Sequence, residues 1–484
     1  MNTALFKDLA AYRPSTDYRL LPFRFGRLDA ARYVLTNDVG EYTIVSPADL
    51  ADFVNHVLET DGETYRKLKS KHFLFDEHSR VALDLLAIKY RTRAEHIRSF
   101  TGLHIFVVTL RCDHSCHYCQ VSRQTEDRTN FDMSRAHADR ALDMVFRSPA
   151  KGLKIEFQGG EPLLNFDLIR YVVERACELN REQKRNIQFV IASNLSRLTD
   201  EILGFCREHN VLLSTSLDGP EDLHNTQRPT QGGRSYETTI AAIVRARSAL
   251  GPNGISALMT TTQASLGRVN AIIDEYVRQD FHSIFLRGLS PYGFASRHSL
   301  NRRYSEDTWI DFYREGLAHI LETNQRGYFL REEYTAVLLQ KIFSPQGSAY
   351  VDLQSPAGIG IGALVYNYDG AVYASDEGRM LAEMNDQSFR LGHLDHDSYE
   401  SMMTSEALLA TLMESMPEGV PKCSECPFLP YCGADPVFHT ATLGDSVGHK
   451  AFSAFCKRQT AVLRHLIGLL EEDGPNRETL LSWI

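Results

Sequence analysis

The sequence predicts an α/β protein built on a partial (β/α)6 barrel. Three observations carry this. Apolar, strand-like stretches recur at 103–110, 152–157, 187–193, 211–217, 255–261 and 282–288. Amphipathic helical patterns fill the gaps, near 134–147, 166–182, 199–208, 235–250 and 267–279. Glycine, serine and cysteine signals fall where the strands end, which is where α/β proteins place their chemistry. Strands alternating with helices pair in parallel through right-handed crossovers. Six such units are too few to close an eight-stranded barrel, so an open side is expected.

The chain has 484 residues, enough for several domains. Its net charge of −10, with no polybasic run, argues against nucleic acid or an anionic membrane as partner. No apolar run is long enough to cross a bilayer, and Met1 to Asp8 lacks the layout of a signal peptide. A cytoplasmic protein is expected. Nine cysteines are present, seven of them in two clusters, which in a cytosolic chain reads as metal ligation rather than disulfides. Cys177 and Cys206 lie in helical patterns beside apolar neighbours and read as buried core residues.

Residues 1–98 form an N-terminal α+β module. Tyr33 to Val45 reads as a hairpin turning at Asn37 to Gly40. Ser46 then caps a helix with Pro47 in its first turn, and helical pattern continues through Lys67 and from Asp76 to Lys89. The module is either a packing extension or a winged-helix-like peptide-recognition element. The barrel occupies 99–345 and includes a helical stretch near 306–341. Residues 346–484 form a cysteine-rich extension. It opens with a glycine-rich run from Ser355 to Gly362, continues with a hairpin through Asp369-Gly370, and closes with a helix near 455–471.

Cys112, Cys116 and Cys119 sit in a loop leaving the first barrel strand. Three thiolates from one loop can hold three corners of an iron–sulfur cube and leave one iron open. A zinc site short of one ligand, or free thiols, are the other readings. Gly159-Gly160-Glu161-Pro162 ends the second strand. Glycine there permits close approach of a ligand, and the carboxylate can accept from an ammonium group. Ser193-Asn194 ends the third strand. Ser216-Leu217-Asp218-Gly219-Pro220 ends the fourth, with Arg228 downstream. Capping or turn formation is the plainer reading of Ser216 and Asp218, and a surface ion pair that of Arg228. Cys423, Cys426, Cys432 and Cys456 make a four-cysteine set that admits zinc or a closed 4Fe–4S cluster.

The C-x3-C-x2-C loop, with Tyr118 before its third cysteine, resembles the signature of radical S-adenosylmethionine (SAM) enzymes. The resemblance implies a 4Fe–4S cluster whose open iron binds SAM and a 5′-deoxyadenosyl radical released on reduction. It implies that Gly159, Gly160 and Glu161 meet the methionine end of SAM, that Ser216 and Arg228 bind it together with Tyr118, Ser193 and Asn194, and that Leu289 packs on adenine. Cys423-x2-Cys426-x5-Cys432 with distant Cys456 resembles the SPASM extension of peptide-maturing members. A full SPASM extension has seven cysteines and two auxiliary clusters. Here Ser375, Pro356 and Pro436 stand near expected cysteine positions, so one auxiliary cluster is implied, in preference to zinc. The segments 35–42, 68–74, 89–93 and 154–165 look like the His-Xaa-Ser system radical SAM maturases. That likeness implies a ribosomally made precursor peptide with His-Xaa-Ser repeats, a small accessory protein and an external electron donor. The rival expectation is a non-catalytic scaffold that kept the cluster loop.

Overall fold

The computed structural model describes residues 18–125, 127–293, 304–344 and 350–484. The expected boundary at residue 345 lies outside the described residues. Three antiparallel strands, β1 (Arg24–Arg27), β2 (Tyr33–Thr36) and β3 (Tyr42–Val45), precede α1 (Pro47–Val54), α2 (Glu63–Ser70) and α3 (Arg80–Arg93). β2 and β3 are the expected hairpin, with Tyr33 opposite Val45 and Gly40 at φ +81° in the turn. Ser46 caps α1 by accepting from the Asp49 amide. β1 is an addition to the expected hairpin: arginines at both ends of Arg-Phe-Gly-Arg mask it as a strand. Leu35, Val45, Phe53, Leu68 and Phe73 form a small core.

This module rests on the far end of the chain. Arg24 Nε donates to the Ser424 carbonyl at 2.7 Å, and Thr36 Oγ1 to that of Pro427 at 2.7 Å. Tyr431 Oη donates to the Gly40 carbonyl at 2.9 Å. The segment carrying Cys423, Cys426 and Cys432 is thereby held from the N-terminal side.

All six expected barrel strands form: β4 (Leu103–Thr109), β5 (Gly152–Gly159), β6 (Asn186–Ala192), β7 (Val211–Ser216), β8 (Ile255–Thr260) and β9 (Leu286–Arg287). They lie parallel and in chain order. The sixth is shorter than expected, because Ser283–Ile284 leaves the sheet to pair with Arg331–Glu332. The crossovers carry α4 (Arg135–Arg147), α5 (Phe166–Gln183), α6 (Asp200–Glu208), α7 (Ser235–Leu250) and α8 (Val269–Arg278). The stretch expected as continuous helix near 306–341 is two helices, α9 (Glu306–Gln325) and α10 (Glu333–Phe343).

The extension adds strands to the same sheet. β10 (Ala363–Tyr366) runs parallel to β4, with Val365 opposite Ile105. β11 (Ala371–Tyr373) and β12 (Arg390–His393) follow antiparallel, giving a nine-stranded sheet. α11 (Asp376–Ala382), α12 (Pro436–Leu443) and α13 (Ala454–Leu470) complete the labelled elements.

Alternation sorts each barrel strand into two faces. On β5, Leu153, Ile155 and Phe157 are buried in the main core, whereas Lys154, Glu156 and Gln158 line the lumen. Ser214 and Ser216 on β7, and Ser256 and Thr260 on β8, do the same. The barrel therefore encloses a cavity lined by both polar and apolar side chains. Of the two cysteines expected in the core, Cys206 is buried but Cys177 is exposed. On α5 the buried stripe is Leu168, Ile169, Val172, Val173 and Ala176, and Cys177 falls just off it.

Candidate active site

The lumen is a cavity of about 720 Å³. Cys112, Cys116 and Cys119 stand on its wall with Tyr118, Gly159, Gly160, Ser193, Asn194, Ser216 and Arg228. These come from the ends of β4, β5, β6 and β7 and from the segment after β7, so parallel pairing brings distant residues to one rim.

The cysteine loop is tied down on both flanks. Arg111 donates from Nε and Nη2 to the two Asp132 carboxylate oxygens at 2.7 and 2.8 Å, and from Nη2 to the Leu164 carbonyl at 2.8 Å. Such a two-pronged contact fixes orientation as well as position. Across the lumen, the Ser115 and His117 amides donate to the Pro229 and Gln227 carbonyls, both at 3.0 Å. Asp113 accepts from Ser196 Oγ at 2.7 Å and Asn194 Nδ2 at 2.9 Å. Burial alone would raise its carboxyl, but hydrogen bonds from His114, Ser196 and Asn194 outweigh that and hold it well below the usual range.

Gly159 and Gly160 serve an approach of backbone to backbone. Gly159 has φ +145°, and a Cβ there would lie 1.9 Å from the Thr109 carbonyl oxygen. A Cβ on Gly160 would lie 2.2 Å from that of Arg111. The contact allows the Gly160 and Glu161 amides to donate to the Thr109 and Arg111 carbonyls at 2.9 and 2.7 Å. The second strand end is thus bonded to the root of the cysteine loop, where ligand approach alone was expected.

Glu161 departs from expectation as well. It is fully buried and absent from the lumen wall. Its carboxylate accepts from Leu163 N at 2.9 Å, Ser193 Oγ at 2.7 Å and Asn194 N at 2.7 Å. Burial pushes its carboxyl up to about 7 against those bonds. These bonds tie the second strand end to the third. Leu289 lines a smaller cavity beside the lumen, and its amide donates to Tyr304 Oη at 2.7 Å.

Sequence reading left Asp218 as structural, and its partners were illegible. Tyr118 Oη donates to Asp218 Oδ2 at 2.7 Å and receives Arg228 Nη1 at 2.6 Å. All three residues are buried, so Arg228 is not the surface ion pair that its type suggests. Burial raises the Asp218 carboxyl, opposed by Arg228 and Tyr118. Tyr118→Phe is expected to remove both hydrogen bonds, cost about 1–3 kcal/mol of stability, and weaken SAM binding while leaving the iron content of the first cluster unchanged. Chemical denaturation, SAM titration and iron analysis on one preparation check this.

The second cysteine set lies beneath the N-terminal module. The Cys426 amide donates to the Cys423 carbonyl at 2.9 Å, and Cys456 starts α13, its amide capped by Ser453 Oγ at 3.0 Å. Burial pushes Cys432 up to about 12, with Cys426 adding to the rise and Lys341 opposing it. Burial likewise pushes Cys423 up to about 11, opposed by Lys450. Lys341 Nζ also donates to the Cys432 carbonyl at 2.9 Å. Two lysines therefore flank this set, and burial lowers both, Lys341 to about 7. The non-cysteine positions have their own structural uses. Ser375 caps α11 by accepting from the Gly378 amide at 3.0 Å. Pro436 occupies the first position of α12.

Residues 106–263 match the model of the Radical SAM superfamily. The chain is 32% identical over 157 residues to an uncharacterized protein of Methanocaldococcus jannaschii, covering 32% of this chain and 52% of that one. It is 22% identical over 223 residues to the radical SAM cyclopropyl synthase TigE of Paramaledivibacter caminithermalis, covering 43% of this chain and 44% of that one. The chain thus spans about half the length of these two curated relatives. A cysteine-type anaerobic sulfatase-maturating enzyme of Clostridium novyi is 20% identical over 375 residues, covering 74% of this chain and 93% of that one. Among solved structures, anSMEcpe with bound AdoMet superposes with a TM-score of 0.63 at 16% identity, over 76% of this chain and 98% of that one. Streptococcus suis SuiB bound to precursor peptide SuiA superposes with a TM-score of 0.52 at 14% identity, over 87% of this chain and 96% of that one.

Residues 106–263 thus match a radical SAM domain, and the chain has the mixed α/β fold of anSMEcpe and SuiB. Such a domain implies a 4Fe–4S cluster and SAM, and the residues present fit both. Cys112, Cys116 and Cys119 on one anchored loop would hold three of the irons, and the cavity they line is large enough for a nucleoside-sized ligand.

Proposed function

We propose that this protein is a radical SAM peptide maturase. The observation that carries this is the convergence of Cys112, Cys116 and Cys119 with Ser193, Asn194, Ser216 and Arg228 on one lumen. When bound there, the cluster and SAM together supply a one-electron reduction and a hydrogen-abstracting carbon radical. The chain's own residues position this chemistry. Arg111 and the Gly159-Gly160 contact hold the loop. Asn194 Nδ2, 2.9 Å from Asp113, links the loop to the third strand end. Tyr118, Asp218 and Arg228 close the side opposite.

A peptide substrate is supported by the neighbours: anSMEcpe is described with a bound Cp18Cys peptide, and SuiB with precursor peptide SuiA. The N-terminal module serves as the recognition element. Its α3 exposes Val81, Leu85 and Ile88 at helical spacing, an apolar face that suits a peptide or a small accessory protein. The resemblance to His-Xaa-Ser system maturases supports a precursor with His-Xaa-Ser repeats in a cytoplasmic bacterial system supplied by an external electron donor.

The C-terminal set holds one auxiliary 4Fe–4S cluster. The likeness of Cys423-x2-Cys426-x5-Cys432 and Cys456 to the SPASM extension favours this cluster over zinc. A closed cluster there relays electrons. Mass spectrometry of a His-Xaa-Ser precursor co-expressed with this protein tests the reading. Loss of two hydrogens, or deuterium uptake from heavy water, is expected; an unmodified precursor in both experiments refutes it.

A further inference from the structure

A cavity of about 80 Å³ adjoins the lumen. It suits a small polar head group and is too small for a nucleoside. Phe285, Arg287, Tyr350, Asp352 and Glu377 line both spaces, so the two communicate. Asp352, Glu377 and Asp435 bring three carboxyl groups to it from three separate segments. Burial raises each above the usual carboxylate range, and each acidic neighbour adds to the rise. Two guanidinium groups face them. Arg458 is committed to Glu306 through bonds of 2.8 and 2.9 Å, leaving Arg287 as the counter-charge. Lys450 acts on Asp435 from the side of the second cysteine set, and Asp376 pairs with Arg379 at 3.3 Å. The chamber therefore carries more negative than positive capacity.

A second observation points to a ligand. Tyr292 and Trp309 line the same cavity, each 2% exposed, and among the described residues neither Tyr292 Oη nor Trp309 Nε1 has a hydrogen-bond partner. A buried donor left without an acceptor costs about 1–3 kcal/mol. A cation alone could not accept from the Trp309 N–H. A residue offering a basic side chain and a carbonyl satisfies both features: the side chain donates to the carboxylates, and the carbonyl accepts from Trp309 and Tyr292.

We propose that this chamber is a specificity subsite that takes a basic residue of the peptide, namely histidine, lysine or arginine, with Asp352 and Glu377 facing its side chain. The inference rests on the peptide-maturase reading of the adjoining lumen. The chain has two tryptophans, so protein labelled with 5-fluorotryptophan gives two fluorine NMR resonances, assigned through Trp483→Phe. The probes are the Nα-acetyl, N-methylamide derivatives of histidine, lysine and arginine, with that of norleucine as the neutral comparison. They are added to the full chain after anaerobic reconstitution. The basic probes should shift the Trp309 resonance saturably and leave Trp483 in place, and the norleucine probe should do neither. Glu377→Gln and Asp352→Asn should each weaken the response at least about tenfold, with the Trp483 resonance reporting that the fold is kept. An equal response to norleucine, no response to any basic probe, or full affinity in both variants overturns the proposal. SAM cleavage without peptide, measured on the same preparation, separates that failure from failure of the maturase reading.

Discussion

Replacing Cys112, Cys116 and Cys119 together by alanine is expected to abolish release of 5′-deoxyadenosine from SAM. It should also lower the iron of the anaerobically reconstituted protein by about four per chain, leaving about four. Both numbers follow from the separation of the two cysteine sets. The first stands at the rim of the lumen. The second lies between the N-terminal sheet, Lys341 and α13, held by bonds from Arg24 and Thr36 that do not involve the first loop. Iron and zinc analysis beside product chromatography reads the outcome. Retained cleavage would remove the first set from the chemistry. Loss of all iron with one zinc retained would make the C-terminal site a zinc site.

Gly159→Ala is expected to be nearly as severe, without touching any metal ligand or reactive group. A Cβ at this position lies 1.9 Å from the Thr109 carbonyl oxygen, and the residue has φ +145°. Backbone atoms cannot rotate aside as a side chain can, and this φ is nearly closed to residues with a Cβ. The cost should be about 3 kcal/mol or more. Relief comes from pulling the strand end away from Thr109, which breaks the bonds from Gly160 and Glu161 that hold the root of the cysteine loop. The variant should therefore melt earlier and incorporate less iron at the first site. Gly152, on the same strand, has no atom within 4 Å of its Cβ position. Gly152→Ala should remain within about 0.5 kcal/mol of the parent. Equal behaviour of the two variants would refute the steric explanation.

The barrel strands were legible because their apolar faces repeat with strand periodicity and turn signals bound them. The cysteine loop was legible because three thiols within eight residues have few other uses. The pairing of β10 beside β4 was not legible: a four-residue strand carries no mark of its partner, and that partner lies some 260 residues away. The protein partners of Glu161 were illegible for a related reason. Only the folded chain brings Ser193, Asn194 and Leu163 to its carboxylate. Asp352, Glu377 and Asp435 are unremarkable one by one and become a chamber only when the extension folds back on the barrel. Ser375 illustrates the converse. Its sequence signal was a missing cysteine, whereas its structural use is a helix cap.

The most direct test is quantification of 5′-deoxyadenosine after anaerobic reconstitution of the full chain with iron and sulfide, followed by SAM and a strong reductant. Release by the parent protein, absent in the Cys112/Cys116/Cys119→Ala variant, is the expected result. A parent protein that holds its iron and binds SAM yet releases no 5′-deoxyadenosine would contradict radical SAM catalysis at this lumen.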